Sequence, residues 1–195
     1  MRIIAGRHRG RKLAAPPGAT VRPTGERARE ALFNILAHGR FAASGPAYAG
    51  ARVLDAFAGT GAFGLEALSR GAAAVIFIEN NRAALAMLRE NIAALAVEQS
   101  AHVVGGDATS PPRAPSASTL AFLDPPYGKG LAVPALRALA DAGWLAAGAL
   151  CVVEIGAKER IEPPQGFTSL DERRYGAARL MFLRYGDAQA GHQVL

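Results

Sequence analysis

The chain has 195 residues, 50% of them hydrophobic and 19% charged, with a net charge of +6 and one cysteine. That length fits one domain able to bury roughly 70% of its unfolded surface, and the composition argues against general disorder. Cys151 alone excludes an internal disulfide framework and a cysteine-based zinc cluster, and no apolar run approaches the ~18 residues of a membrane span.

The amino terminus has no apolar stretch behind its charges, so a secretory signal is not expected and a cytoplasmic protein is. Arg2, Arg7, Arg9, Arg11, Lys12, Arg22, Arg27 and Arg29 meet only Glu26 and Glu30 across residues 1–30, while the rest of the chain is balanced. The entire positive excess therefore sits at one end. Such a field attracts a polyanion, and the arginine fork suits phosphate. The plainer alternatives are a solvated tail or a transit peptide. Arg2-Ile3-Ile4-Ala5-Gly6 and Arg9-Gly10-Arg11-Lys12-Leu13 read as two short strands turned by glycine, and a structured basic hairpin favours nucleic acid.

Pro16, Pro17 and Gly18 break the chain. A helix follows over residues 25–36, with Thr24 as a simple N-cap. Ala28, Leu32, Ile35 and Leu36 share an apolar face, with Arg27 and Arg29 pointing elsewhere. After a loop holding Gly45, Pro46 and Gly50, strands and helices alternate. Strands are expected at Val53-Leu54, residues 75–78, 102–104, 120–123, 150–154 and 180–183. Helices are expected from about Ala62 to Ser69, Arg82 to Ala96 and Val133 to Ala142. Residues 110–118 are a proline-rich loop. Continuous apolar strands alternating with helices imply a parallel sheet covered on both faces. The last two strands are candidates for antiparallel pairing.

The first strand ends in Asp55-Ala56-Phe57-Ala58-Gly59-Thr60-Gly61-Ala62-Phe63-Gly64. Gly59 and Gly61 allow a sharp turn and close approach of a ligand. Ligands bind at the carboxyl ends of strands in such sheets. The spacing of Gly59, Gly61 and Gly64 fits a dinucleotide fingerprint, which is a weak signal alone. Asp55 favours S-adenosylmethionine over a dinucleotide, because a carboxylate there repels pyrophosphate and can pair with the amino group of a methionine moiety. Glu79 ends the second strand and offers an acceptor for ribose hydroxyls. Asp107 ends the third and offers one for the adenine amine. A single carboxylate at a strand end is usually a cap or a solvated turn. Three at consecutive strand ends are not. The candidate cofactor residues are Asp55, Phe57, Gly59, Thr60, Gly61, Glu79, Asn80, Asp107, Ala108 and Thr24, with Phe57 and Phe63 open to serving as walls or as core.

The fourth strand ends in Asp124-Pro125-Pro126-Tyr127. Two prolines lock the backbone and remove two N–H donors. The carbonyls and the Asp124 carboxylate are left as acceptors, and Tyr127 offers a face for stacking. This suits a planar group with an exocyclic amine, aligned for attack on a methyl group. Alone, the tetrapeptide is equally an ordinary proline turn. Following a glycine turn of this type in a parallel sheet, it is a candidate catalytic motif. His38, His102 and His192 lack ligand spacing, so no metal site is expected. Cys151 and Trp144 read as core.

Together these residues resemble class I methyltransferases acting on exocyclic nitrogens, and more specifically the RsmD-type 16S ribosomal RNA guanine-N2 methyltransferases. The resemblance spans nearly the whole chain. It is carried by Met1-Arg2-Ile3-Ile4-Ala5-Gly6, Arg9-Gly10-Arg11-Lys12-Leu13, Arg22-Pro23-Thr24 with Arg27, Arg29-Glu30 and Leu32-Phe33-Asn34. It continues through Leu54 to Gly61, Gly64 to Gly71, Asp124-Pro125-Pro126-Tyr127 and Gly143-Trp144-Leu145. Glu79-Asn80-Asn81 departs from the family's more usual pattern at the second strand end.

The resemblance implies a Rossmann-like α/β sheet, mostly parallel with an antiparallel last strand, and a basic amino-terminal hairpin. It implies S-adenosylmethionine as methyl donor and a guanine of small-subunit rRNA, free or in an assembling particle, turned out of its stack into the Asp124/Tyr127 pocket. Residues 1–40 would form an RNA-binding extension, 41–186 the catalytic domain and 187–195 a frayed tail, in a monomer. Arg2, Arg7, Arg9, Arg11 and Lys12 would hold phosphates; Arg22, Arg27 and Arg29 would hold RNA or order the cofactor loop. DNA adenine-N6 or protein glutamine-N5 methylation is the competing enzymatic reading, and a non-catalytic RNA-binding module the competing non-enzymatic one. A nicotinamide oxidoreductase would leave Asp124-Pro125-Pro126-Tyr127 without a role.

Overall fold

Alternation along each strand decides the layers. In β1 (Arg52–Ala56), Val53 faces one core and Leu54 the other. In β4 (Ser118–Leu123), Leu120 and Phe122 oppose Ala121 and Leu123 in the same way. Buried on both sides, these strands cannot show the polar alternation of a half-exposed sheet. The computed structural model describes residues 1–15, 23–42 and 44–186, and the side chains of Pro23 and Thr24 are not among those described. Arg22 and the tail 187–195 lie outside the described residues.

Seven strands form one sheet in the order β3-β2-β1-β4-β5-β7-β6. Strands β2 (Ala74–Glu79), β3 (Ala101–Gly105), β1, β4 and β5 (Leu145–Gly156) run parallel. Strand β7 (Ala178–Tyr185) is antiparallel to β5 and to β6 (Phe167–Tyr175). The expected antiparallel last strand is therefore present, fed by a hairpin strand that the apolar pattern does not reveal. β6 reads Phe-Thr-Ser-Leu-Asp-Glu-Arg-Arg-Tyr and is mostly exposed at the sheet edge, so hydrophobic runs cannot mark it. From β1 the chain moves outward to β2 and β3, then returns to β4 on the other side. That reversal opens the ligand crevice of such folds between β1 and β4.

Helices α1 (Pro23–Ala37), α2 (Ala62–Ser69) and α3 (Arg82–Leu95) send Leu32, Phe33, Leu65, Leu68, Leu88 and Ile92 into the first core. Helix α4 (Ala132–Asp141) covers the other face with Ala135, Leu136 and Leu139 beside Trp144 and Cys151. Trp144 is fully buried, and its Nε1–H donates to the Pro112 carbonyl at 2.8 Å. α1 begins at Pro23, so Thr24 lies within the first helical turn rather than at the cap. Proline suits that first position because its missing N–H would have no partner there. No described helix is long and apolar enough to cross a membrane.

The basic segment is a hairpin held by few ladder bonds. Ile3 N donates to the Arg11 carbonyl at 3.0 Å, Gly10 N to Ile3 at 2.9 Å and Leu13 N to Met1 at 3.0 Å. Ile3 and Leu13 enter the same core as Val53, Phe77 and Phe122. One core thus runs beneath residues on both sides of position 40.

A buried carboxylate secures this hairpin. Glu66 on α2 has no solvent exposure. It accepts from Ile4 N at 2.8 Å, Ala5 N at 3.0 Å and Arg70 Nε at 2.7 Å, and Arg29 Nε lies 3.8 Å away. Arg70 stacks its guanidinium 4.8 Å from the Phe33 ring centroid. One turn on, Ser69 Oγ accepts from His8 N at 3.0 Å and donates to the Ala5 carbonyl at 2.6 Å, while Arg7 N donates to the Ser69 carbonyl at 2.8 Å. The hairpin and α2 touch at Gly6, which has φ +81°, and a Cβ there would stand 1.8 Å from the Ser69 carbonyl oxygen. Only glycine fits.

Glu66→Ala leaves Arg29 buried without its carboxylate and orphans two backbone donors, which costs ~3–5 kcal/mol. Thermal unfolding is expected to shift down by roughly 10 °C on that basis; an unchanged transition would remove Glu66 from its anchoring role.

Candidate active site

The glycine turn is tied down from below. Gly59 (φ +54°) and Gly61 (φ +87°) reverse the chain into α2, and a Cβ on Gly61 would lie 2.4 Å from Leu88 Cδ1. Phe57 is a non-glycine residue at φ +60°, a conformation that stores strain. Both oxygens of Glu79 accept main-chain donors: Oε2 from Gly59 N at 2.7 Å, Oε1 from Asn80 N at 2.9 Å and Asn81 N at 2.7 Å. Asn81 then caps α3, accepting from Ala83 N at 2.9 Å and Ala84 N at 3.1 Å. The buried Asn91 of α3 accepts from Ala14 N at 2.6 Å and donates to the Thr60 carbonyl at 2.9 Å. One amide thus joins the far end of the basic hairpin to the glycine turn.

Asp55 is enclosed at 1% exposure, and its Oδ2 accepts from Gly64 N at 2.8 Å. Burial pushes its carboxyl up to about 7; the Gly64 bond opposes that rise and the neighbouring Glu79 charge adds to it. Through this bond Asp55 holds the first turn of α2. Asp107 is exposed and accepts from Thr109 N and Oγ1, both at 2.8 Å, while Ala108 is buried in the second core. Neither lines the main cleft described next.

Phe57, Glu79, Asn80, Asn81, Asp124, Pro125, Pro126, Tyr127 and Glu154 line a cleft of about 530 Å³ at the carboxyl ends of the strands. Asp124 follows β4 directly, and its N–H donates to the Ala56 carbonyl of β1 at 3.4 Å. Tyr127 is 43% exposed. Its hydroxyl donates to Glu154 Oε1 at 2.5 Å. Leu123 pairs with Val153 in the β4–β5 register, so Asp124 and Glu154 follow side by side. Beneath them Leu32, Phe63, Phe122, Val152 and Leu180 form an apolar floor.

This setting governs both acids. Burial holds Asp124 well above the usual carboxylate range, and the charges of Glu154 and Asp55 push it the same way. Burial also raises Glu154, against the lowering effect of the Tyr127 hydroxyl. Two acids in one semi-enclosed site cannot both ionise freely without a donor-bearing or cationic guest. Of the residues singled out from the sequence, Asp124, Pro125, Pro126, Tyr127, Phe57, Glu79 and Asn80 line this one cleft, while Asp55, Gly59, Thr60 and Gly61 do not. The sequence reading misses Glu154, whose only sequence signal is a charged residue closing the apolar run Leu150-Cys151-Val152-Val153.

The basic residues divide. Arg7, Arg9, Arg11, Lys12 and Arg27 are exposed. Arg11 Nη2 nevertheless donates to the Ala94 carbonyl of α3, and Arg2 pairs with Glu26 at 3.5 Å. Arg2, Arg9 and Arg27 line a second cleft of about 440 Å³ with Glu26 and Glu30. Arg29 requires correction. It is 4% exposed, pairs with Glu66, and donates from Nη2 to the Arg2 carbonyl at 2.7 Å. Its charge is spent inside the fold, which speaks against the phosphate-holding role and leaves the alternative of ordering a neighbouring loop, and burial lowers its guanidinium pKa against the pull of Glu66.

Comparison with known proteins agrees with this architecture. The family model described as Conserved hypothetical protein 95 matches residues 1–184. Ribosomal RNA small subunit methyltransferase D of Escherichia coli strain K12 is 44% identical over 155 residues, covering 79% of this chain and 74% of that one. The protein of the same name from Haemophilus influenzae is 36% identical over 180 residues, covering 90% and 89%. The solved structure of yhhF from Escherichia coli, described provisionally as a methyltransferase, has a TM-score of 0.81 and 38% identity over 95% of this chain and 98% of that chain. The fold is the Rossmann-like class I methyltransferase fold, and by these matches the chain belongs to the RsmD-type methyltransferase family.

Proposed function

We propose that this protein transfers a methyl group from S-adenosylmethionine to the exocyclic N2 amine of a guanine in small-subunit rRNA. The observation that carries the reading is the juxtaposition of Asp124 and Tyr127 with Phe57 and Glu79, the acid that ties down the glycine turn through Gly59 N, in one crevice at the sheet's reversal point. The names of the relatives support ribosomal RNA as the substrate class.

The residues fit the cofactor. The cleft volume of about 530 Å³ lies within the ~300–1,000 Å³ typical of cofactor sites, and its acidic walls suit a cationic ligand. Glu79 and the turn at Gly59–Gly61 would hold it, beside Asn80 and Phe57. When bound, S-adenosylmethionine supplies an electrophilic methyl group. Asp124 and the carbonyls of the Pro125–Pro126 segment accept from the amine, turning its lone pair toward the methyl carbon. Tyr127 stacks on the base, worth ~1–3 kcal/mol. The N–C bond gained would be balanced by the methyl–sulfur bond lost, whose electron pair stays on sulfur in the thioether product S-adenosylhomocysteine; the amine nitrogen would shed one proton, and Asp124 would be placed to receive it. Binding the amine's donors draws Asp124 toward its ionised form, since such bonds favour the charged state.

Arg7, Arg9 and Lys12 would hold phosphates at the arm, with the substrate base flipped into the cleft. The competing adenine-N6 and glutamine-N5 readings share Asp124 and Tyr127 but leave this arm unexplained.

Methyl transfer from tritiated S-adenosylmethionine to small subunits lacking the modification tests the reaction. Label is expected in N2-methylguanosine, and label in N6-methyladenine or in protein would overturn the assignment. Asp124→Ala is expected to lower transfer by at least 100-fold while cofactor binding, followed by calorimetry, persists. Replacing Arg7, Arg9 and Lys12 by Gln is expected to reduce the log–log salt slope of RNA binding by about 2, at ~0.7–0.9 per lost phosphate contact; an unaltered slope would take the arm out of the RNA site.

The acids also predict a pH signature. Asp55 is raised on folding, so the native state binds its proton more tightly than the unfolded state. Its contribution to stability is full below about pH 4 and is lost as pH rises to about 7, on the order of 4 kcal/mol. Asp55→Asn, which keeps an acceptor for Gly64 N, is expected to flatten the fall in melting temperature between pH 4 and 7. An unchanged pH slope would show that Asp55 does not titrate in this window.

A further inference from the structure

Glu154 is the acid at the cleft to which neither the glycine turn nor the Asp-Pro-Pro-Tyr segment assigns a task. It sits at the carboxyl end of β5, next in register to Asp124, and lines both the main cleft and its apolar floor. Its Oε1 takes the Tyr127 hydroxyl at 2.5 Å, which fixes the carboxylate plane relative to the stacking ring. The cleft therefore presents two carboxyl groups side by side, at the edge of the ring on which a base would lie.

A pair of adjacent acceptors selects its guest by hydrogen-bond pattern. Guanine carries two neighbouring donors on its Watson–Crick edge, the N1–H and the N2 amine. Adenine places an acceptor, N1, beside its amine, and cytosine places N3 beside its own. An acceptor facing a carboxylate in a half-buried site leaves both unpaired and repelling, and such mismatches discriminate strongly. We propose that Glu154 reads the guanine N1–H while Asp124 takes the N2 amine, making Glu154 the base-specificity residue of this enzyme. The inference rests on the guanine-N2 reading above and deepens it.

The electrostatics of the free site support the assignment. Burial raises both acids, and the charge of Glu154 raises Asp124 further. A guest with two adjacent donors relieves that repulsion; a guest with one donor and one acceptor relieves half of it. Tyr127 supplies the floor for the ring and the register for the carboxylate, so plane and edge of the base are recognised by two residues already bonded to each other.

The test compares Glu154→Gln and Tyr127→Phe with the natural protein, using unmodified small subunits, tritiated S-adenosylmethionine and nucleoside analysis of the product. Glu154→Gln keeps size and a carbonyl acceptor but replaces one oxygen with a donor that clashes with N1–H. It is expected to lower kcat/KM for guanine by 30-fold or more, with most of the loss in KM, and to admit detectable label in adenosine. Tyr127→Phe keeps the ring and the Glu154 carboxylate, and is expected to lose less than 10-fold with all label still in N2-methylguanosine. Equal losses in the two variants, with no change of base, would reduce Glu154 to a support for the tyrosine and overturn the proposal. Full activity of Glu154→Gln would overturn it as well. Glu154→Asp provides a second path should the glutamine variant fold poorly: a retained but shortened carboxylate is expected to keep guanine selectivity at reduced rate, and loss of selectivity there contradicts the proposal. Should the natural protein itself label a nucleoside other than N2-methylguanosine, the guanine-N2 reading fails on its own evidence, separately from any effect of the variants.

Discussion

A carboxylate with no access to water is expensive unless every lone pair is used. Glu66 uses its own on two main-chain donors of the hairpin and on Arg70, with Arg29 nearby. The rest of the molecule is arranged around that requirement. Because Glu66 belongs to α2, the hairpin is fastened to the helix whose first turn is the glycine loop. Because Arg29 belongs to α1, the same charge also gathers the helix that covers the sheet beside the cleft. One interior ion cluster therefore holds three segments distant in sequence, and Asn91 repeats the connection from below through Ala14 and Thr60.

The parallel half of the sheet was legible because strands buried on two faces appear as bare apolar runs. The glycine turn and Asp124-Pro125-Pro126-Tyr127 were legible because each occupies a strand end, where residue type and backbone conformation are jointly constrained. What escaped did so for physical reasons. β6 lies at an edge, where solvent removes the hydrophobic signal. Arg29 looks like any other arginine of the basic segment until Glu66 is placed opposite it, and their separation in sequence hides the pair. Glu154 continues an apolar run and acquires meaning only when β5 is set next to β4, which no local pattern announces.

Acidity accumulates in and around the cleft. Asp55, Asp124 and Glu154 are each raised by burial, and Asp55 and Glu154 both push Asp124 upward. An interior this reluctant to hold negative charge gains most from a guest that brings positive charge or hydrogen-bond donors. The methyl donor and the base amine of the proposed reaction supply one of each, so the two ligands improve each other's reception by compensating the same carboxylates.

The shortness of α2 has a consequence for scale. Eight residues at 1.5 Å each span about 12 Å, with Glu66 and Ser69 gripping the hairpin near one end and the glycine turn at the other. At ~3.4 Å per nucleotide along a stacked strand, that is the length of three or four nucleotides. The proposed arm would thus hold the backbone close to the base being modified, and what it feels there is the local path of the chain. Recognition on so short a ruler favours a folded RNA surface whose turns bring phosphates and target base together, over a linear sequence read at a distance.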